Sequence, residues 1–337
     1  MQIIAKLREK VRRNFLSFSQ PMQRQIESQL ILQAQALRRA YLLQTRLAEF
    51  QFAEFRVFSQ WGEDGLISWL IDCLPDIPTT FVEFGVEDYR ESNTRLLLHM
   101  RNWRGLVLDG SLANIQDIQR QEIYWRYGLT AKCAFIDRDN INSLLTEAGV
   151  SGDVGLLSVD IDGNDYWVWQ AIDVISPTIV VCEYNAVLGD QHELTVPYSA
   201  GFQRTRAHHS NLYFGASIKA LIRLGEAKGY SFVGTTSTGC NAFFVRNDLA
   251  PKVLSRLDAV KAYPSNVRES RDAQGCLTFT SGVDRLRLIS HLPVVDLAAV
   301  REELIASFSN MYSPEWQEGQ GARLQRAEQQ QSVNQHV

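Results

Sequence analysis

The chain has 337 residues and a formal net charge of −4 at pH 7, and 45% of its residues are hydrophobic. This composition is ordinary for a globular protein and excludes a wholly disordered or fibrous chain, while the length fits two domains or one α/β domain with additions. The net acidity argues against nucleic acid as a partner of the whole molecule. The charge is uneven: residues 1–50 hold nine Lys and Arg against three Glu, a net +6, so residues 51–337 hold −10.

Targeting and redox signals are absent from the sequence. No apolar run approaches the roughly 20 residues that cross a bilayer. The opening MQIIAKLREKVRR mixes apolar residues with charges, unlike a signal peptide. The five cysteines are odd in number, widely spaced and free of any C-x-x-C pair, which disfavours a disulfide framework or a zinc ribbon. We therefore expect a cytoplasmic protein.

Residues 1–50 predict a helical, basic N-terminal arm. A first apolar face comprises Ile3, Ile4, Leu7, Val11 and Phe15, and after Pro21 a second comprises Ile26, Leu30, Leu37 and Tyr41. We expect this arm to pack on the core or on a second copy of the chain, giving a homodimer. A basic amphipathic helix over residues 1–15 that rests on the inner face of a membrane is the alternative.

From about residue 79, apolar strands alternate with helical stretches. The predicted strands are Thr80–Phe84, Gly105–Leu108, Ala131–Ile136, Gly155–Ile161 and Thr178–Glu183, with helices around 92–102, 112–122, 139–148 and 165–175. Their near-continuous apolar character favours a parallel sheet covered on both faces. A helix over 216–228 and a hairpin through YSFVGTT and NAFFVR complete the predicted domain, residues 51–250. Beyond it we predict a helical extension over 251–317 and a disordered tail over 318–337.

The carboxyl ends of parallel strands are where such sheets bind ligands, and here these ends are acidic. The first strand leads to Glu83 and Gly85, with Ser92 and Asn93 placed to cap the next helix. A glycine at this turn permits close approach of the backbone to a ligand, and an acid after the second strand, here Asp109, commonly accepts hydrogen bonds from ribose. Asp137 follows the third strand.

The densest acidic signal is DIDGND after the fourth strand, with Asp160, Asp162 and Asp165. Alternation along the strand end places Asp160 and Asp162 on one side. Glu183 and Asn185 after the fifth strand add oxygen atoms of the kind that Mg²⁺ or Mn²⁺ prefers. The sequence therefore predicts a metal set of Asp160, Asp162 and Glu183.

A long polar stretch follows the fifth strand, TVPYSAGFQRTRAHHSNLYFGAS. A segment of this kind at the active edge of an α/β sheet is a candidate substrate loop. Its two adjacent histidines, His208 and His209, are candidate general bases, because a neutral imidazole can accept a hydroxyl proton near pH 7.

Together these stretches resemble the FkbM-type family of S-adenosylmethionine-dependent methyltransferases, over about residues 58–246. SQWGEDG (59–65) resembles its S-Q-x-G-E-D segment, FVEFGVEDYRESNTRLL its first cofactor motif, DIDGND its D-x-E-G-x-E, and residues 215–246 its final helix and strands. The resemblance implies the α/β, Rossmann-like class I methyltransferase fold, with sheet order 3-2-1-4-5-7-6 and an antiparallel last strand.

The resemblance also implies S-adenosylmethionine as the cofactor and assigns roles to individual residues. The implied contacts are Glu83, Gly85 and Asn93 for the methionine end, Asp109 with the following Gly110 and Ser111 for the ribose, Asp137 for the adenine edge, and Asp160 for the floor of the site. Val86–Tyr89 stand where typical members have further glycines, so we expect a narrower cofactor pocket.

The predicted activity is O-methylation of a sugar, a surface glycan or a natural product, the acceptor class being implied by the resemblance alone. Mg²⁺ or Mn²⁺ would assist, and Asp160, His208 or His209 would act on the acceptor hydroxyl. Two alternatives remain at this point. The D-x-D of DIDGND also occurs in metal-dependent glycosyltransferases, and a degenerate methyltransferase fold would serve as a scaffold assembled through the N-terminal arm.

Overall fold

The computed structural model of the chain describes residue 22 and residues 24–318. The predictions for residues 1–15 and for the tail after residue 318 lie outside this described part. The domain boundaries themselves stay predictions.

The described part of the chain contains the helices α1 (24–42), α2 (Glu63–Cys73), α3 (Arg95–Arg101), α4 (Leu112–Arg120), α5 (Glu122–Arg126), α6 (Ile141–Glu147), α7 (Asp165–Ala171), α8 (Arg204–Ala207), α9 (Ile218–Ala227), α10 (Ala250–Leu254) and α11 (Asp284–Ile289). A further helical turn spans 314–318. Short 3₁₀ helices span Phe50–Ala53, Ala186–Leu188 and Ile305–Ser307.

The strands are β1 (Leu47–Glu49), β2 (Thr80–Phe84), β3 (Arg104–Asp109), β4 (Leu129–Cys133), β5 (Gly152–Val159), β6 (Ile175–Glu183), β7 (Leu194–Thr195), β8 (Tyr230–Thr235), β9 (Asn241–Arg246), β10 (Leu257–Ala259), β11 (Pro293–Asp296) and β12 (Arg301–Leu304). Seven of them form the main sheet, in the order β4-β3-β2-β5-β6-β9-β8. Renumbered within the sheet, this is 3-2-1-4-5-7-6. The first five are parallel, and β9 is antiparallel to both neighbours. The predicted α/β methyltransferase fold is confirmed by this order.

The sheet is buried on both faces, as its apolar strands predict. Along β2, Phe81 belongs to one hydrophobic layer, while Val82 and Phe84 belong to the other. The same alternation separates Val181 from Val180 in β6. Because strand side chains alternate between the two faces, each strand supplies both layers, and its polar residues collect at the ends.

The prediction of a helical segment over 251–317 is wrong in most of its length. After α10, residues Leu257–Ala259 form β10, which pairs in parallel with β1. Farther on, β11 and β12 form an antiparallel hairpin, and β11 also pairs with β7. The carboxylate of Asp296 accepts the N–H groups of Ala298 and Ala299 and closes the turn, where Val300 has a left-handed φ of 54°. Pairing partners distant in sequence therefore override a helical periodicity.

The helix α1 confirms the predicted helical character of the arm up to residue 42, after which β1 begins at Leu47. Ala34 and Tyr41 face the core, whereas Ile26 and Leu37 of the predicted apolar face are about half exposed. Arg38 holds α1 to the domain through the carboxylate of Asp72, at 2.6 Å. Within residue 22 and residues 24–318, none of the helices combines the length and apolarity that a membrane crossing requires.

Candidate active site

A cavity of about 600 Å³ opens at the carboxyl ends of the parallel strands. It is centred where β2 and β5 adjoin, the point from which the chain builds the sheet outward in opposite directions. This is the position at which open α/β sheets bind their ligands, and the volume suits a small molecule. One half of the cavity is formed by the ends of β2, β3 and β4. The other half is formed by the ends of β5 and β6, the start of β9, residues 202–205 and Asn211.

Glu83 at the end of β2 binds the loop that precedes α3 through hydrogen bonds. Its carboxylate accepts the hydroxyl of Ser92 at 2.8 Å, the backbone N–H of Asn93 at 2.8 Å, and both the N–H and the hydroxyl of Thr94. Asn93 in turn donates its side-chain amide to Ser158 at 3.1 Å. Glu83 and Asn93 line the cavity, and the hydrogen bonds of their polar groups fix the shape of its wall.

Gly85 permits a close approach between the ends of β2 and β5. Its φ is +70°, and a Cβ atom added there would lie 1.7 Å from the carbonyl oxygen of Asp160. Farther along the loop, Glu87 lines the cavity, while Tyr89 is buried beneath the loop and bonds to Thr94 at 2.8 Å. Of the residues that stand in place of further glycines, Val86 and Glu87 therefore line the cavity and Tyr89 does not.

Asp109 at the end of β3 lines the cavity and is 7% exposed. Its Oδ2 accepts the backbone N–H of Glu87. Its Oδ1 accepts the backbone N–H of Ser111 and the side-chain amide of Asn114. A carboxylate offers about four acceptor positions, so a position remains on Oδ2 for a hydroxyl. Ser111 serves α4 as its N-cap, with Oγ accepting from Asn114 at 3.3 Å.

The wall after β4 is apolar. Phe135 and Ile136 line the cavity opposite Gly110, and the Phe135 ring is 48% exposed. Asp137, predicted to meet the adenine edge, is absent from the lining among the described residues. Its Oδ1 accepts the N–H groups of Asp139 and Asn140 ahead of α6. The sequence alone does not distinguish a strand-end acid that closes a turn from one that faces a ligand. It also gives no signal that Phe135, two residues before Asp137, lines the cavity.

The three acids of DIDGND separate after β5, which corrects the predicted metal set. Asp162 has a left-handed φ of 56° and turns to Arg204, 2.7 Å away. Asp165 is buried, and its two oxygens accept the N–H groups of Ile161 and Gly163. The carboxylates of Asp160, Asp165 and Glu183 lie within 4.8 Å of one another, in place of the predicted trio with Asp162.

Two of these carboxyls face the cavity with few partners, those of Asp160 and Glu183. Burial raises the pKa of Asp160 well above its usual range, and the nearby charges of Asp162 and Asp165 add to the effect. Burial and the neighbouring Asp160 likewise raise the pKa of Glu183. Because Asp162 pairs with Arg204, the predicted set of Asp160, Asp162 and Glu183 does not form the Mg²⁺ or Mn²⁺ site. We derive no step through a metal.

Asn185 is also used structurally. Its amide donates to the carbonyls of Leu212 and Phe214, each at 2.9 Å, and its Oδ1 accepts the N–H of Val187. These bonds hold the return of the candidate substrate loop against the end of β6. The sequence pattern identified an oxygen-bearing residue at the right sheet edge but could not show that its amide is already paired.

The candidate substrate loop reaches the cavity through residues 202–205 and Asn211. Arg204 donates to Asp162 and to the carbonyl of Asn211 at 2.7 Å, and its guanidinium lies 3.9 Å above the Phe214 ring. His208 and His209 lie outside the lining, with their ring centroids 4.1 Å apart and their ring planes inclined at 40° to each other. The geometry gives no support to a histidine base, and the loop's contribution to the site is Arg204.

The segment SQWGEDG positions residues that the sequence did not single out. Oδ2 of Asp64 accepts the N–H groups of Val57, Phe58 and Ser59, at 2.7–2.8 Å. Glu63 accepts the side-chain amide of Asn241 at 2.9 Å, which brings the start of β9 into the cavity. The Asp64 contacts are local, whereas the contact of Glu63 with Asn241 joins residues far apart in the chain, and no local pattern could have predicted it.

Comparisons with known proteins assign no family: no family model and no curated protein matches the chain. Among solved structures, the N-terminal domain of EvdMO1 with SAH bound is 10% identical, covering 56% of this chain and 82% of its own, with a TM-score of 0.38. An S-adenosylmethionine-dependent methyltransferase from Clostridium acetobutylicum is 7% identical (53% and 89% covered, TM-score 0.33). An O-methyltransferase family protein from Burkholderia thailandensis is 11% identical (55% and 58% covered, TM-score 0.35). At these values the fold assignment rests on the strand order itself.

Proposed function

We propose that this protein is an S-adenosylmethionine-dependent methyltransferase that acts on a hydroxyl group of a sugar, a surface glycan or a natural product. The observation that carries the proposal is a cavity at the junction of β2 and β5 in a sheet of order 3-2-1-4-5-7-6, with Asp109 beside an apolar wall in one half and Asp160 at the boundary of the other. The sugar or glycan class follows only from the resemblance described above.

The residues of the first half fit the cofactor. The open position on Asp109 Oδ2 suits a ribose hydroxyl, and the exposed Phe135 ring suits one face of a purine. Gly85 keeps the floor between β2 and β5 low enough for a ligand to cross it. When bound, S-adenosylmethionine would supply a methyl group on a positively charged sulfur, which leaves as a neutral thioether.

The acceptor hydroxyl must lose its proton as its oxygen gains the methyl group. Asp160 is the carboxylate best placed to take that proton, since it lies where the two halves of the cavity meet. A general base works best when its pKa lies near the working pH, and burial raises the pKa of Asp160 in that direction. Asp160 therefore replaces His208 and His209 as the proposed proton acceptor.

The test is calorimetric titration of the full chain with S-adenosylmethionine and S-adenosylhomocysteine. We expect micromolar binding, weakened about 5- to 150-fold in Asp109→Ala, the range for removing a partner of a buried polar group. Asp117→Ala is the matched control, because Asp117 lies on α4 outside the cavity and pairs with Arg120 on the surface. Unchanged affinity in Asp109→Ala would remove the ribose assignment, and no binding by the folded wild-type chain would overturn the proposed function.

A further inference from the structure

The half of the cavity between β5 and β9 offers hydrogen-bond acceptors that lack donors. Asn241 is 4% exposed, and its Nδ2 donates to Oε1 of Glu63, a group that can only accept. The orientation of the amide is therefore fixed, and no described residue donates to its Oδ1. Asn164, 3% exposed, repeats this arrangement, since Nδ2 donates to the carbonyl of Ser199 and Oδ1 finds no donor in the described part of the chain.

Glu183 adds a carboxyl oxygen at the same place. It is the register partner of Asn241 in the antiparallel pairing of β6 and β9, so the two side chains lie on one face of the sheet with Cβ atoms about 5 Å apart. Oε2 of Glu183 is buried and receives no hydrogen bond from any described residue. A buried acceptor without a partner is costly, which indicates that a ligand supplies the donors.

The charge of the cavity favours a cationic ligand. Among the described residues that line it, the only base is Arg204, already paired with Asp162. The acids number eight: Glu83, Glu87, Glu91, Asp109, Asp160, Asp162, Glu183 and Glu269. A neutral hydroxyl brings one donor and no charge, whereas an ammonium group brings three donors and a positive charge.

We propose that the methyl acceptor carries a protonated amino group, which binds between Oε2 of Glu183 and Oδ1 of Asn241. The inference rests on the proposed function for the identity of this ligand as the acceptor. A protonated amine has no free electron pair, so the amino group anchors the compound and the methyl group goes to a hydroxyl of the same compound, next to Asp160. The substrate class is an amino-bearing polyol, such as an amino sugar unit.

The experiment compares D-glucosamine, D-glucose and N-acetyl-D-glucosamine as probes, by calorimetry on the full chain with and without S-adenosylhomocysteine. We expect glucosamine to bind at least about tenfold more tightly than the two neutral sugars, because a hydrogen bond to a charged group is worth more than a neutral one. Equal affinities would overturn the inference. The sugar titration without S-adenosylhomocysteine does not depend on the cofactor and tests this inference alone. Failure of the proposed function would appear separately, as absence of binding when the chain is titrated with S-adenosylhomocysteine.

Two matched variants locate the effect. Glu183→Gln removes one carboxyl group and should abolish the preference for glucosamine, whereas Asp117→Asn, on α4 outside the cavity and paired with Arg120 at 3.0 Å, should keep it. Because Oε2 of Glu183 is buried and receives no hydrogen bond from any described residue, Glu183→Gln should melt no lower than the wild type, and an unchanged melting temperature verifies that the variant folds. A preference that survives Glu183→Gln would overturn the assignment. So would Mg²⁺ binding that depends on Glu183 in a chain without amine preference.

Discussion

Replacing Gly85 by Ala should separate the ends of β2 and β5 and lower both stability and cofactor affinity. The added Cβ atom would lie 1.7 Å from the carbonyl oxygen of Asp160 and 2.9 Å from its carbonyl carbon. Both contacts are with backbone, so no side chain can rotate to relieve them. Gly110 lines the same cavity, yet a Cβ atom there would meet only the Phe135 ring, at an ordinary 3.6 Å. Gly110→Ala is therefore the matched control.

The magnitude follows from two costs. A non-glycine residue at a φ of +70° costs about 1–2 kcal/mol. Opening the 1.7 Å approach to an ordinary contact shifts one strand end against the other, an overpacking cost of about 1–3 kcal/mol. We expect Gly85→Ala to lower the free energy of unfolding by about 2–5 kcal/mol. Gly110→Ala should change it by less than about 1 kcal/mol, since its backbone tolerates a side chain.

Urea unfolding followed by tryptophan fluorescence measures the first effect, and calorimetry with S-adenosylhomocysteine measures the second. Moving the Asp160 carbonyl displaces the floor of the cavity, so the affinity of Gly85→Ala should fall even under conditions where the variant is fully folded. If Gly85→Ala and Gly110→Ala were equally stable, the close approach of β2 and β5 would not exist in solution, and the argument from Gly85 would fail.

Three further predictions follow from particular side chains. Burial raises the pKa of Asp64 from 3.8 to about 6, so the folded state keeps a proton that the unfolded state has lost, and stability should fall as the pH rises from about 4 to about 6. Asp64→Asn should remove up to about 3 kcal/mol of this total loss, as measured by urea unfolding at each pH, and an unchanged pH dependence would contradict the prediction. Phe135→Ala should weaken S-adenosylhomocysteine binding about tenfold with little change in melting temperature. Trp125, exposed outside the cavity, provides the control, and Trp125→Ala should leave both the affinity and the melting temperature unchanged; equal affinities of the two variants would exclude stacking. Exposed Cys133 should react rapidly with a thiol reagent and buried Cys182 only on unfolding, and fast labelling of Cys182 would show that the sheet opens.

The fold could be predicted because its strands carry their signal locally. The predicted strand Thr80–Phe84 matches β2 to the residue, the prediction for β6 lacks only its first three residues, and the prediction for β5 starts three residues late and ends two residues late. A strand buried on both faces reads as an apolar run whatever its neighbours are. The hairpin of β11 and β12 could not be predicted this way, because its residues follow a helical period and its strand character depends on the edge of β7.

At the candidate site, too, local features could be predicted from the sequence and contacts between distant residues could not. Sequence identifies acids at strand ends, but it does not show which of them the backbone already satisfies. Glu83 and Asp165 each accept at least two hydrogen bonds from nearby residues on their two oxygens and so hold the loops around the cavity. In contrast, Glu183 and Asn241 keep oxygens that no described residue satisfies, and the antiparallel pairing of β6 with β9 brings them together. A buried polar atom without a partner is costly, so the unpaired oxygens of residues that line the cavity are those that indicate the chemistry of the ligand.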